Sequence, residues 1–202
     1  DGNGVLGDDP RTSGIDMNRT FDYQWNRYDI ETKDGQQVGN VNWTTAGSAP
    51  ATEPEIKALQ QFMYTHNMAA LVSLHTGIQS VLYPWCYRAY DENNPDDAEI
   101  PFMKDTAAEM AQAFQEYTGR GFYSMSSNED YPTAAELIDY AYGRYNIHAY
   151  TIEVYSPGKS EDGDISSCKW ENTMPEATWV FYSREQIRET LGLDPDAITD
   201  KD

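Results

Sequence analysis

The sequence predicts an α/β fold in which one sheet is covered by helices on both faces. Apolar, β-branched or aromatic runs at 69–74, 80–83 and 149–152 alternate with longer segments of helical periodicity. These runs are apolar throughout, as strands buried on both faces are. His75 and Glu153 close two of them, and in such sheets sites lie at the carboxyl ends of strands.

In chain order, residues 1–13 read as solvated loop; Asp1, Asn3 and Asp8 do not match EF-hand spacing. Gly14-Ile-Asp-Met-Asn-Arg-Thr-Phe follows, then Tyr23 and Trp25, and residues 28–50 are polar with Asp34-Gly35 as a turn signal. Thr52-Glu-Pro-Glu55 reads as a capping box with proline in the first turn. Its helix buries Ile56, Leu59, Phe62 and Met63 and ends near Asn67. Residues 69–74 form a strand reaching His75, and a second strand covers Ser80 to Tyr83. Residues 88–101 are an acidic loop. Thr106-Ala-Ala-Glu109 opens a further capped helix, with Met110, Ala113, Phe114 and Tyr117 on one face and Gly119 as its stop. Ser126 to Pro132 is a polar loop. Thr133 caps the next helix with Glu136 closing the box; Leu137, Ile138, Ala141, Tyr142 and Tyr145 share a face, and Asn146 is a left-handed stop. A strand from Ala149 to Ile152 ends in Glu153. Residues 156–176 are loop, Trp179 to Tyr182 a strand or turn, and Ser183 caps a last helix with Ile187 and Leu191.

The 202 residues suffice for one domain with a sizeable core, and no repeat or second domain is visible. Hydrophobic residues make up 39%, with 15 Tyr and 5 Trp, so the chain is globular rather than disordered. Net charge is −20, from 34 acids against 14 bases, which argues against nucleic acid as a partner. Such an excess suits either a halophilic source or an ordinary acidic secreted enzyme. No apolar run approaches a membrane span. The expected location is extracellular, with any signal segment outside this chain. Cys86 and Cys168 lack Cys-x-x-Cys spacing; they form one disulfide, as an exported protein allows, or remain two buried thiols.

A carboxylate ending an apolar strand is costly to bury unless something uses it. For Glu153 that use is chemistry or an ion pair with Arg19 or Arg144. A histidine after a strand is ordinarily structural. Gly158-Lys159-Ser160 mimics the end of a phosphate-binding loop, but Glu153 stands where its first glycine belongs. No Gly-x-Ser-x-Gly is present, which removes the nucleophile-elbow hydrolases.

Three segments taken together resemble the zinc carboxypeptidases of the A/B type: Asp16-Met-Asn-Arg19; Ala70-Leu-Val-Ser-Leu-His75 followed by Tyr83-Pro84; and Tyr131, which precedes Glu153 by 22 residues. The order and spacing agree over about residues 14 to 155. The resemblance implies a three-layer α/β/α sandwich with a mixed central sheet. It implies one zinc ion held in part by His75, and Glu153 as general base with Tyr131 closing over the substrate. It implies that Asn18 and Arg19 grip the C-terminal carboxylate of a peptide, and that Ile138, Thr151 and Glu136 line the pocket for the last side chain. Ile138 there goes with apolar or aromatic C-terminal residues. Glu136, if turned inward, adds acceptance of lysine and arginine; its competing role is the capping box with Thr133. Cys86 replaces a usual glycine and Gly77 a common tyrosine.

The family's other two zinc ligands come from a His-x-x-Glu segment before the Asn-Arg motif, and this sequence has none, nor the upstream oxyanion arginine. The resemblance therefore implies that residues 1–202 are the C-terminal part of one catalytic domain. The missing N-terminal part would be a partner, and this chain alone would be inactive. Two further functions stay open: a non-catalytic binder of peptide C-termini, and a related zinc amidohydrolase of acylated amino acids.

Overall fold

The computed structural model of the chain describes residues 15–25, 27, 30–31, 37–38, 46–76 and 78–154. Residues 1–13, Gly77, Cys168, the loop 156–176 and the strand and helix expected after 178 lie outside them.

A mixed sheet organises the chain. Strands β3 (Ala70–His75), β4 (Gln79–Tyr83), β5 (Tyr123–Ser126) and β6 (His148–Val154) lie in the order β3-β6-β4-β5. β6 runs parallel to β3 and antiparallel to β4, and β4 runs parallel to β5. A separate antiparallel pair is formed by β1 (Ile30–Glu31) and β2 (Gln37–Val38), and the Asp34-Gly35 turn signal lies outside the described residues.

Helices cover both faces, as the apolar strands require. Successive strand residues point to opposite sides, so β6 sends Tyr150 and Ile152 one way and Ala149 the other. Tyr150 and Ile152 join Val81, Tyr83 and Trp85 with Met103, Ala107 and Ala111 of α2 (Ile100–Thr118). Ala149 joins Ile56 and Met63 of α1 (Pro54–Thr65) with Ile138 and Ala141 of α4 (Leu137–Tyr145). The result is the α/β/α layering with a mixed sheet. β3 is one of the two edge strands among the described residues, and its Val72 and Leu74 are exposed, so this run is not buried on both faces as expected.

Helix stops follow the sequence more closely than helix starts. Gly119 and Asn146 are both left-handed caps, with φ of 67° and 53°. α1 stops at Thr65 with His66 as its cap, two residues before Asn67. None of the three expected capping boxes forms. α1 starts at Pro54 with Glu53 as an N-cap that makes no side-chain bond, while Thr52 donates to the Glu53 carboxylate instead. α2 starts at Ile100, six residues ahead of Thr106, with proline in its first turn. Its buried face is Ile100, Met103, Ala107 and Ala111, the small alanines facing the sheet. Met110 and Phe114 flank that face, and Tyr117 is exposed. α4 starts at Leu137, so Glu136 is itself the N-cap residue. The expected polar loop at 126–132 instead holds the last residue of β5 and a short helix, α3 (Ser127–Asp130), neither of which the sequence pattern announced.

Candidate active site

The parallel register of β3 and β6 places His75 directly opposite Glu153 at the carboxyl ends of both strands. His75 Nδ1 lies 3.8 Å from Glu153 Oε1, and its Nε2 lies 3.1 Å from Ser73 Oγ. Burial pushes the Glu153 carboxyl up to about 8, with Asp130 and Glu136 adding negative charge nearby. Burial likewise lowers the His75 pKa. Both shifts favour the neutral forms and so weaken the charge attraction between the two groups. Among the described residues Glu153 Oε2 is buried without a hydrogen-bond partner, an arrangement that costs free energy unless a further group uses the oxygen.

Asn18 and Arg19 sit on a 3₁₀ turn, Met17–Arg19, whose N-cap Asp16 accepts from Asn18 N at 2.9 Å. This turn is docked on the start of α4. Asn18 Oδ1 accepts from Leu137 N at 2.9 Å, and Phe21 N donates to Ala135 O at 3.1 Å. The helix thus receives its cap from a residue 119 positions away in sequence. Arg19 is buried. Burial opposes its charge, but Glu136, Tyr131 and Asp16 outweigh that and raise its pKa further. Its Nη2 donates to Tyr131 Oη at 3.0 Å, and its Nη1 donates to Asn18 O at 2.9 Å and lies 3.0 Å from Glu136 Oε1.

Glu136 has turned inward. Besides Arg19, Thr133 Oγ1 donates to its Oε1 and Asn18 Nδ2 to its Oε2, the latter at 3.3 Å. Thr133 and Glu136 therefore meet, but side chain to side chain rather than as a cap. Tyr131 ends α3 and is held over Arg19, with its ring centroid 5.9 Å from the guanidinium carbon. Ile138 and Thr151 are buried, Ile138 in the packing around Cys86. The two groups lie within reach of one another's charge: charge on Arg19 and Glu136 is felt at both His75 and Glu153, and charge on Glu153 at Tyr131.

Sequence reasoning missed Asp139. It is fully buried on α4 and accepts from Cys86 N at 2.9 and 3.1 Å and from Tyr87 N at 3.3 Å. The available signal was an acid between Ile138 and Tyr140, on the apolar face of the helix. Cys86 is buried and without a disulfide partner among the described residues, Cys168 lying outside them, and its backbone carbonyl accepts from Thr133 N at 3.0 Å. It thereby fixes the segment that carries Glu136.

As a metal site the arrangement fits in part. An imidazole beside a carboxylate suits zinc, but among the described residues no three His, Cys, Asp or Glu side chains cluster to hold an ion. No helix among them is long and apolar enough to cross a membrane.

A family model for zinc carboxypeptidases matches residues 4–190. Carboxypeptidase A6 of Homo sapiens is 27% identical over 154 residues, covering 73% of this chain and 32% of the relative. Carboxypeptidase A1 of Rattus norvegicus is 27% identical over 147 residues, covering 72% and 32%. The chain thus spans about a third of the length of these curated relatives. Among solved structures, thrombin-activatable fibrinolysis inhibitor superposes with a TM-score of 0.57 at 19% identity, covering 74% of this chain and 35% of that one. The carboxypeptidase A of Helicoverpa armigera gives 0.54 at 20% identity, covering 79% and 39%. Both share the α/β fold.

Proposed function

The chain belongs to the zinc carboxypeptidase family, and from that premise we propose that it carries the substrate-gripping and proton-transferring half of a carboxypeptidase site acting on peptide C-termini. One observation carries the reading: register and docking bring His75, Glu153, Arg19 and Tyr131, from four separate segments, into a single electrostatic neighbourhood.

His75 would be one zinc ligand, its depressed pKa leaving the ring free to coordinate. Zinc supplies polarisation of the scissile carbonyl and acidification of a water. Glu153 takes a proton from water at its buried Oε2, which no described residue hydrogen-bonds, and delivers it to the leaving amine. Arg19 and Asn18 orient the chain end, since a planar guanidinium pairs a carboxylate in two parallel bonds. Tyr131, already at hydrogen-bond distance from Arg19, covers the bound residue. Ile138 makes the pocket side apolar, so large aliphatic and aromatic C-terminal residues are favoured over acidic ones.

The test measures affinity for peptides ending in Phe, Lys or Glu with a free carboxylate, and for the Phe peptide as an amide. Wild type is expected to prefer free over amidated chain ends. Arg19→Ala is expected to erase that preference, a loss of roughly 1.5–3 kcal/mol. Equal affinity for free and amidated peptides would remove the exopeptidase reading, and tightest binding of the Glu peptide would remove the pocket assignment. A second reading, a non-catalytic binder of C-termini, draws on the absence of a three-donor cluster among the described residues. It predicts the same free-end preference with no turnover under zinc.

A further inference from the structure

The Arg19–Asn18 clamp already holds a carboxylate, and it belongs to the chain itself. Glu136 lies 3.0 Å from Arg19 Nη1, accepts from Asn18 Nδ2 at 3.3 Å and accepts from the Thr133 hydroxyl. It is about 5% exposed. The other end of the guanidinium is spent on Tyr131 Oη. These are the donors that the proposed function offers to a peptide's terminal carboxylate. Asn18 is committed twice over, because its amide oxygen caps α4 at Leu137 while its amide nitrogen serves Glu136.

We propose that Glu136 is a built-in competitor for the carboxylate clamp, so that a peptide chain end binds only by displacing Glu136 from Arg19 or by sharing the guanidinium with it. The inference rests on the reading of Arg19 and Asn18 as that clamp. Its physical basis is charge. One guanidinium can satisfy one carboxylate along its edge, and a second anion arriving beside a buried first one meets like-charge repulsion in a poorly screened site. If Glu136 is displaced instead, it leaves its cationic partner while still beneath the surface, and a buried carboxylate without its counter-charge is unfavourable. Both routes weaken the grip on an anionic chain end compared with a clamp standing open. The position of Glu136 supports a removable occupant. It is the N-cap residue of α4 but makes no side-chain cap bond, the cap being Asn18. Its side chain is therefore not needed to start the helix.

The test titrates N-acetylphenylalanine and its amide into the 202-residue chain by calorimetry. The proteins are wild type, Glu136→Gln, Glu136→Gly and Arg19→Ala, each checked for fold by circular dichroism. Gln keeps the volume and one acceptor for Thr133 while removing the charge; Gly removes the side chain at an N-cap position that tolerates it. Both Glu136 variants are expected to bind the carboxylate about tenfold more tightly or better and the amide no more tightly. Arg19→Ala is expected to lose carboxylate affinity. If Arg19→Ala weakens the carboxylate while both Glu136 variants match wild type or bind it less well, Glu136 is no competitor and the clamp reading survives. If the carboxylate and amide bind alike in wild type and in both Glu136 variants, the clamp reading itself fails, and this inference with it. If both Glu136 variants lose the fold, Glu136 is a structural residue and the proposal is overturned.

Discussion

In the proposed role Glu153 would meet two opposed demands. Burial beside Asp130 and Glu136 raises its pKa to about 8, whereas a general base has to give up its proton to act. The same burial leaves Oε2 without a partner among the described residues, which is where a water would be engaged. In any form of the protein that turns over peptide, Glu153→Gln is expected to lower kcat by ~10²–10⁴-fold. Affinity for a free-carboxylate peptide should stay within a few-fold of wild type, because Gln keeps the shape. Activity within a few-fold of wild type would take Glu153 out of the chemistry. His75 and Glu153 were readable from sequence because each ends an apolar strand, a place where a polar residue stands out. Gly143 was not. An added Cβ there would sit 2.2 Å from Tyr23 Cζ, and Tyr23 in turn stacks on Trp85 at 5.9 Å. Only tertiary packing reveals that. Helix propensity alone favours alanine by about 1 kcal/mol, yet overpacking costs about 1–3 kcal/mol. Gly143→Ala should therefore lower the denaturant midpoint. A raised midpoint would mean that the Tyr23 ring moves aside freely.

At the scale of elements, α4 shows why the starts of helices misled the sequence reading and their ends did not. A left-handed stop is a property of one residue, and Asn146 and Gly119 announce themselves. A start depends on who supplies the acceptor, and at α4 the acceptor is Asn18, far away in the chain. The Thr133–Glu136 pattern was real but served Arg19 instead. α4 also carries Asp139 into the core, where it anchors the backbone of Cys86 and Tyr87 and so the turn leading out of β4. Burial pushes Asp139 up to about 7 from an unfolded value near 3.8; the Cys86 N–H bonds oppose this and Glu136 adds to it. A raised acid keeps its proton in the folded protein after the unfolded chain has lost it. Its contribution to stability is therefore present at low pH and is lost as pH rises between about 4 and 7, at up to about 1.4 kcal/mol per unit. Denaturant unfolding of wild type and Asp139→Asn across that window should differ by this slope and run parallel above it. Parallel curves throughout would show that Asp139 ionises normally and that its backbone hydrogen bonds prevail over burial.

For the whole molecule, charge is the dominant bias: 34 acids against 14 bases, net −20. The best-defined ion pairs do little to offset it, since they lie inside. Arg88 reaches Asp97 through Nη1 at 2.7 Å, and Asp97 also accepts from Trp85 Nε1 at 2.7 Å. Arg19 is buried against Glu136. Such pairs are weakly screened by salt, whereas repulsion among exposed acids is screened within about 10 Å at 0.1 M ionic strength and about 3 Å at 1 M. Added salt should then relieve the repulsion without breaking the internal pairs. The melting temperature is expected to rise by several degrees between dilute buffer and about 1 M NaCl, and to rise equally in KCl if screening is the cause. A chain from a halophilic source should go further and fold only as salt approaches molar levels. Full stability in dilute buffer with a flat salt profile would make the acid excess a matter of solubility alone, as in an ordinary acidic secreted enzyme. The sequence set out both alternatives without deciding between them, because net charge is a property of composition and its energetic weight depends on where the few bases are placed. Here two of the 14 bases, Arg19 and Arg88, are committed to the interior contacts described above. Each of these pairs removes one acid along with one base, so the net charge stays unchanged, and that excess is the reason to expect a salt response at all.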